Sequence, residues 1–189
     1  MAPDHIRGHD LVNETRVNVA GLLQAQFGST RTYDLRLDTF PLDADLIAEG
    51  VSGEVRLTRL REQILADAEV TGTVTQECVR CLRSYEQAFL AILSEEFQPT
   101  VDVRNGSEIA PSAAVGEDAF SIDDNHELDI AEPLRQHIVL ALPMRADCGP
   151  DCPGPDVTES FDPDAVDDRF AALTRLLGEG DGRGLRTED

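Results

Sequence analysis

At 189 residues, 41% of them hydrophobic, the chain is long enough for one domain with a sizeable core and too apolar to be wholly disordered. Sixteen basic residues, every one an arginine, stand against 37 acidic ones, a formal net charge of −21 that opposes long-range capture of nucleic acid and favours encounter with basic proteins, plain solubility being the blander account. No apolar run approaches a membrane span, and Met1-Ala2-Pro3-Asp4-His5-Ile6 lacks the basic start of a secretory signal, so the expected location is cytoplasmic, with thiols kept reduced.

Residues 1–10 read as a flexible N-terminus. Weak extended signals follow around Leu11 and from Arg16 to Val19. After the break at Gly28-Ser29-Thr30, residues 31–38 alternate, with Tyr33, Leu35 and Leu37 on one face of a strand. Residues 43–49 read as a short connecting helix closed by Gly50. The clearest β signal lies in 53–60 and 63–78. In the second run Ile64, Ala66, Ala68, Val70, Val74 and Cys78 share one parity, and Asp67, Glu69, Thr71, Thr73, Thr75 and Glu77 the other. That is a long antiparallel strand with one wet face.

Residues 84–101 fit two patterns. Phe89, Ile92, Leu93 and Phe97 lie roughly on a helical stripe, and composition leans that way. Phe89, Ala91, Leu93 and Phe97 also alternate as a strand, with Glu95 then facing inward or at a bulge. A hairpin returning from the preceding cysteine turn favours the strand, and the strand is preferred. Residues 102–126 turn polar and read as an acidic mobile insertion. Past them Asp129 and Glu132 bracket a first helical turn that tolerates Pro133, and Leu134, Ile138 and Ala141 carry the helix to about Leu142. His137 in this helix reads as structural rather than as a ligand. A terminal helix is signed by Asp162 at the cap, Pro163 after it, the stripe Val166, Phe170, Leu173 and Leu177, and Gly178 at its end. Residues 179–189 read as a flexible tail. The expected fold is α+β, an antiparallel sheet of long strands with a few helices packed on it, as a single domain over 11–178.

All four cysteines fall in two short pairs, Cys78/Cys81 as C-x2-C and Cys148/Cys152 as C-x3-C, with 66 residues between them. Two tight turns, each offering two thiolates, complete a tetrahedral shell, so a structural zinc site is the sharp reading. The alternatives are ordinary cysteines packed as small hydrophobes or, in an oxidising compartment, a disulfide. Four cysteines leave zinc no open coordination position, and this C-x2-C ends a strand rather than opening a helix; both points argue against a zinc or thiol-redox enzyme. With no phosphate-binding glycine loop, G-x-S-x-G or H-E-x-x-H, no catalytic residue and no small-molecule substrate are expected. Arg56, Arg59, Arg61, Arg80 and Arg83 gather around the β region and the first cysteine turn as the one patch that could meet phosphate. Its alternative is cross-strand pairing with Asp67 and Glu69.

At these residues the sequence resembles the YceD family of large ribosomal RNA subunit accumulation proteins. The resemblance rests on Glu77-Cys78-Val79-Arg80-Cys81-Leu82 after a Val/Thr-rich strand, and on the acidic stretch that follows. It continues in Glu127-Leu128-Asp129-Ile130, in Ile138-Val139-Leu140-Ala141-Leu142-Pro143 with Cys148 and Cys152 close behind, and in the terminal Asp168-Arg169-Phe170-Ala171-Ala172-Leu173. It covers 11–177 and implies a strand over 84–101. It also implies a non-enzymatic factor promoting accumulation or processing of large-subunit ribosomal RNA and assembly of the large subunit. Many relatives carry a further cysteine where this chain has Pro153-Gly154-Pro155, and other branches lack the second pair, which implies that zinc stabilises the fold without being essential to the role. The expected partner is the large-subunit precursor, met through a basic ribosomal protein or a processing enzyme, with RNA contact confined to the arginine patch and no membrane. A zinc-stapled acidic adaptor without a ribosomal role is the alternative.

Overall fold

The computed structural model describes residues 5–8, 10–109 and 120–155. The chain divides into two compact units, Met1–Gly154 and Pro155–Asp189. The terminal helix and tail expected from the sequence lie outside the described residues, as do 110–119.

Four long strands form an antiparallel meander: β4 (Thr30–Asp43), β5 (Leu46–Arg59), β6 (Ile64–Glu77) and β7 (Ser84–Pro99). In β6 the expected parity holds, with Ile64, Ala66, Ala68, Val70 and Val74 buried on one face. β7 is a strand, paired residue for residue with β6 from Ser84 to Phe97, and buries Phe89, Ala91, Leu93 and Phe97. Helical propensity loses here because the turn from Cys78 to Arg83 returns the chain beside a preformed template. In β4 the buried set changes parity, from Tyr33, Leu35 and Leu37 to Phe40 and Leu42; in β5 it passes from Ala48 to Val51, Val55 and Leu57. Both changes sit at one level, where Leu37 pairs with Val51 and Thr39 with Glu49. The β5–β6 register shifts there between Glu49 and Ser52, and Gly50 takes φ 59°, a backbone that glycine adopts without a side-chain clash. The extra residue bends the ribbon and returns the apolar side chains to the interior.

The meander does not make the whole sheet, and the α+β class expected from the sequence is corrected. Strands take up 52% of the described residues, in a mixed and nearly closed barrel-like sheet rather than a purely antiparallel one. Its further strands are short: β1 (His5–Arg7), β2 (Leu11–Val12), β3 (Arg16–Asn18), β8 (Phe120–Ile122) and β9 (Glu127–Asp129). β1 and β2 run parallel to β4, and β8 runs parallel to β7. The order is β1-β4-β5-β6-β7-β8-β9-β3, with β2 also against β4. Strands of two or three residues have no readable period; partners far away in sequence place them. Residues 43–49, read as a helix, are instead the β4–β5 turn and the start of β5, where Ala48 pairs with Phe40 and Ile47 with Pro41.

Two helices lie among the described residues, the four-residue α1 (Ala20–Leu23) and the 11-residue α2 (Ala131–Ala141). α2 packs against β7 and β4, burying Pro133, Leu134 and Ile138. Asp129 fixes its start, accepting the Ala131 N–H at 2.9 Å, the Thr15 hydroxyl at 2.8 Å and the Arg16 Nε at 2.9 Å. Leu142 turns extended before Pro143, as a residue preceding proline prefers. Glu95, on the apolar parity of β7, is met by His137 Nε2 at 2.9 Å. That contact gives the inward carboxylate a partner and His137 a structural role.

Candidate metal centre

β6 delivers Cys78 to the end of the meander, and the chain turns there because its backbone bonds to itself. The Cys78 N–H donates to the Arg83 carbonyl at 2.9 Å, and the Leu82 N–H to the Cys78 carbonyl at 2.8 Å. Leu82 pays for this turn with φ 58°, a left-handed conformation that a leucine holds only where its surroundings impose it. The second turn is built alike: Gly149 takes φ 103°, Asp147 Oδ1 accepts its N–H at 3.0 Å, and the Cys152 N–H donates to its carbonyl at 3.2 Å.

The two turns are joined to each other. The Val79 N–H donates to the Ala146 carbonyl at 3.0 Å, the Cys148 N–H points at Cys78 Sγ at 3.4 Å, and Arg80 Nη1 lies 3.4 Å from Asp147 Oδ2. The sulfurs converge: Cys78 and Cys152 at 3.8 Å, Cys81 and Cys148 at 3.7 Å, and all four within 4.8 Å of one another. A regular tetrahedron with metal–sulfur bonds of about 2.3 Å has edges of about 3.8 Å, so the set fits one ion, and all four thiols are free. Cys78 is buried and the other three are partly buried.

The electrostatics suit an ion as well. The backbone N–H of Cys148 leads in pushing the Cys78 thiol down to about 6, helped by those of Cys81 and Arg80. Cys148 is pushed up to about 12, first by its contact with Cys152 and then by burial. The Cys78 thiolate is thus favoured while its neighbours oppose that of Cys148, and a bound cation removes that opposition. Negative charge on Cys152 acts first, and the bond to Asp147 second, to hold the Arg80 guanidinium firmly protonated.

The five arginines do not form one patch. Arg56 pairs across the strands with Asp67 at 3.3 Å. Arg80 belongs to the cysteine site and Arg83 is exposed beside it. Arg59 ends β5 and Arg61 sits in the β5–β6 turn, separated from the cysteine turn by the 14 residues of β6, about 45 Å of strand. Asp147 is a site residue that the sequence reading left unassigned. The signal was its place just before Cys148, where an aspartate commonly accepts the N–H two residues on.

The chain matches the family described as "Large ribosomal RNA subunit accumulation protein YceD" over residues 66–177, from within β6 past both cysteine pairs. It is also 28% identical over 145 residues to uncharacterized proteins of Mycobacterium bovis and Mycobacterium tuberculosis, an alignment covering 72% of this chain and 62% of theirs. No solved structure matches it. The family match takes in more than half of the chain and all four converging cysteines, and the protein belongs to the YceD family.

Proposed function

We propose that the protein is a non-enzymatic factor that promotes the accumulation of large-subunit ribosomal RNA and the assembly of the large subunit, with a zinc ion holding the two cysteine turns together. The observation that carries the ribosomal reading is the family match across both cysteine pairs. Zinc is the ion of choice because four thiolates at tetrahedral spacing are its usual structural shell, and a closed shell leaves no position for substrate. The ion would be held by Cys78, Cys81, Cys148 and Cys152, with Arg80 and Asp147 tying the two turns around it.

A net charge of −21 directs the protein to a basic ribosomal protein or a processing enzyme rather than to bare RNA over most of its surface. The proposed compartment is the cytoplasm, where ribosomal precursors are met; no helix among the described residues is long and apolar enough to cross a membrane. Depleting the protein from its own cells is expected to lower the ratio of large- to small-subunit ribosomal RNA, and supplying the intact chain to restore it. An unchanged ratio on full depletion would refute the ribosomal reading and favour an adaptor with other clients.

A further inference from the structure

At the far end of the sheet from the cysteines lies a cleft of about 440 Å³. Arg59, Arg61 and Arg104 line it, together with the apolar side chains of Leu23, Val103 and Ile109. Three arginines around one cleft are unexpected in a chain with 37 acidic residues and 16 basic ones. None of the three is ion-paired among the described residues. Burial first, and then the neighbouring charge of Arg104, disfavour the protonated form of Arg59, with Glu62 opposing them. Glu62 and Asp102 also line the cleft, so three guanidinium groups stand against two carboxylates, a net positive balance that suits an anion arriving from outside.

The backbone holds both guanidinium carriers in place. Arg59 is fixed on both backbone groups, donating to the Ser29 carbonyl and accepting from the Gly28 N–H, each at 2.8 Å. One arm of its guanidinium donates to the Gln63 carbonyl at 3.2 Å, which orients the group and leaves its other N–H donors available. Arg104 rides a turn closed by Asp102, whose carbonyl accepts the Gly106 N–H at 2.8 Å and whose Oδ1 accepts the Arg104 N–H at 2.7 Å. Of the two acidic residues in the lining, Asp102 is therefore engaged in building the turn, and Glu62 is the other. Ile109, on the apolar side, is 42% exposed and open to a ligand.

We propose that this cleft binds the phosphate of a nucleotide unit, with Arg59, Arg61 and Arg104 on the phosphate oxygens and the Leu23–Val103–Ile109 wall against sugar and base. Arginine presents a planar fork that fits phosphate oxygens two at a time, and its flat face also stacks on bases. The volume suits one nucleotide, since ligand clefts commonly run from about 300 to 1,000 Å³. The same chemistry is offered by a free nucleotide and by a strand of RNA. The site stands on its own geometry; only the choice of ribosomal RNA as its source rests on the ribosomal reading above.

The test titrates the full chain with AMP by calorimetry, and with a fluorescein-labelled single-stranded RNA by anisotropy, both at low ionic strength. Arg61 and Arg104 are exposed, so the double variant R61E/R104E is expected to keep the fold and to bind the wild type's ligand at least about tenfold more weakly. Arg83→Glu makes the same kind of charge reversal once, at the opposite end of the sheet, and is expected to alter binding by less than about twofold. RNA bound more tightly than AMP identifies a strand as the source, and AMP bound as well as RNA identifies a free nucleotide; either supports the site. Absence of binding to both probes overturns the proposal, as does a loss in Arg83→Glu equal to that in the double variant. A cleft that binds while depletion leaves ribosomal RNA unchanged would sink the ribosomal reading alone.

Discussion

Replacing Cys81 with alanine is expected to abolish stoichiometric metal binding and to release the segment from Pro143 to Cys152 from the sheet. That segment is rich in proline and glycine, and its described ties to the first turn are the Val79–Ala146 bond, the Arg80–Asp147 pair and the sulfur cluster itself. Structural zinc sites in small peptides supply on the order of 10 kcal/mol at neutral pH, but here the barrel core forms without sulfur ligands, so the loss should be mainly local. Metal content by mass spectrometry should fall from one ion per chain to nearly none. Hydrogen exchange should accelerate strongly at the amides of Val79, Cys148 and Cys152, while Val70 and Leu93 on the paired strands stay protected. Unchanged protection in metal-free protein would mean that the turns hold themselves together.

The largest effect on global stability is expected at the other end of the sheet. Phe97 is fully buried, pairs with Ile64 of β6, and stacks at 5.4 Å centroid distance on Phe120 of β8. Truncation to alanine should cost about 3–5 kcal/mol and lower the melting midpoint by on the order of 10 °C, because it opens a cavity where β8 docks on β7. Leu90 lies on the same strand but on the outer face and is 53% exposed. Its truncation should stay within about 0.5 kcal/mol. Equal losses at Phe97 and Leu90 would show that the assignment of inner and outer faces is wrong.

What the sequence made legible follows from how many residues carry each signal. β6 repeats its alternation over 14 residues, and α2 carries an i, i+4, i+7 stripe with proline signals at both ends, so both were readable. The cysteines were readable for a different reason: spacing within each pair limits what two thiols can do, whatever the surrounding fold. β7 shows where one chain of inference overrode another, since the hairpin argument outweighed a composition leaning to helix. The parallel strands β1, β2 and β8 stayed hidden because two or three residues have no period. Residues 43–49 misled because their helical propensity yields to pairing with Phe40 and Pro41. The arginines were grouped by nearness in sequence, but a hairpin sends neighbours to opposite ends. Arg56 found Asp67, Arg80 found Asp147, and Arg59 and Arg61 found Arg104, which sits in a stretch read as an acidic insertion.

The ribosomal role is tested most directly by sedimenting the protein with cell extract on a sucrose gradient at low and at high salt. The account predicts that at low salt it travels with precursors of the large subunit, and that it moves to the top of the gradient as salt rises, because an attraction driven by a net charge of −21 is screened. A protein that stays at the top at low salt, or that follows small-subunit particles equally well, would contradict it.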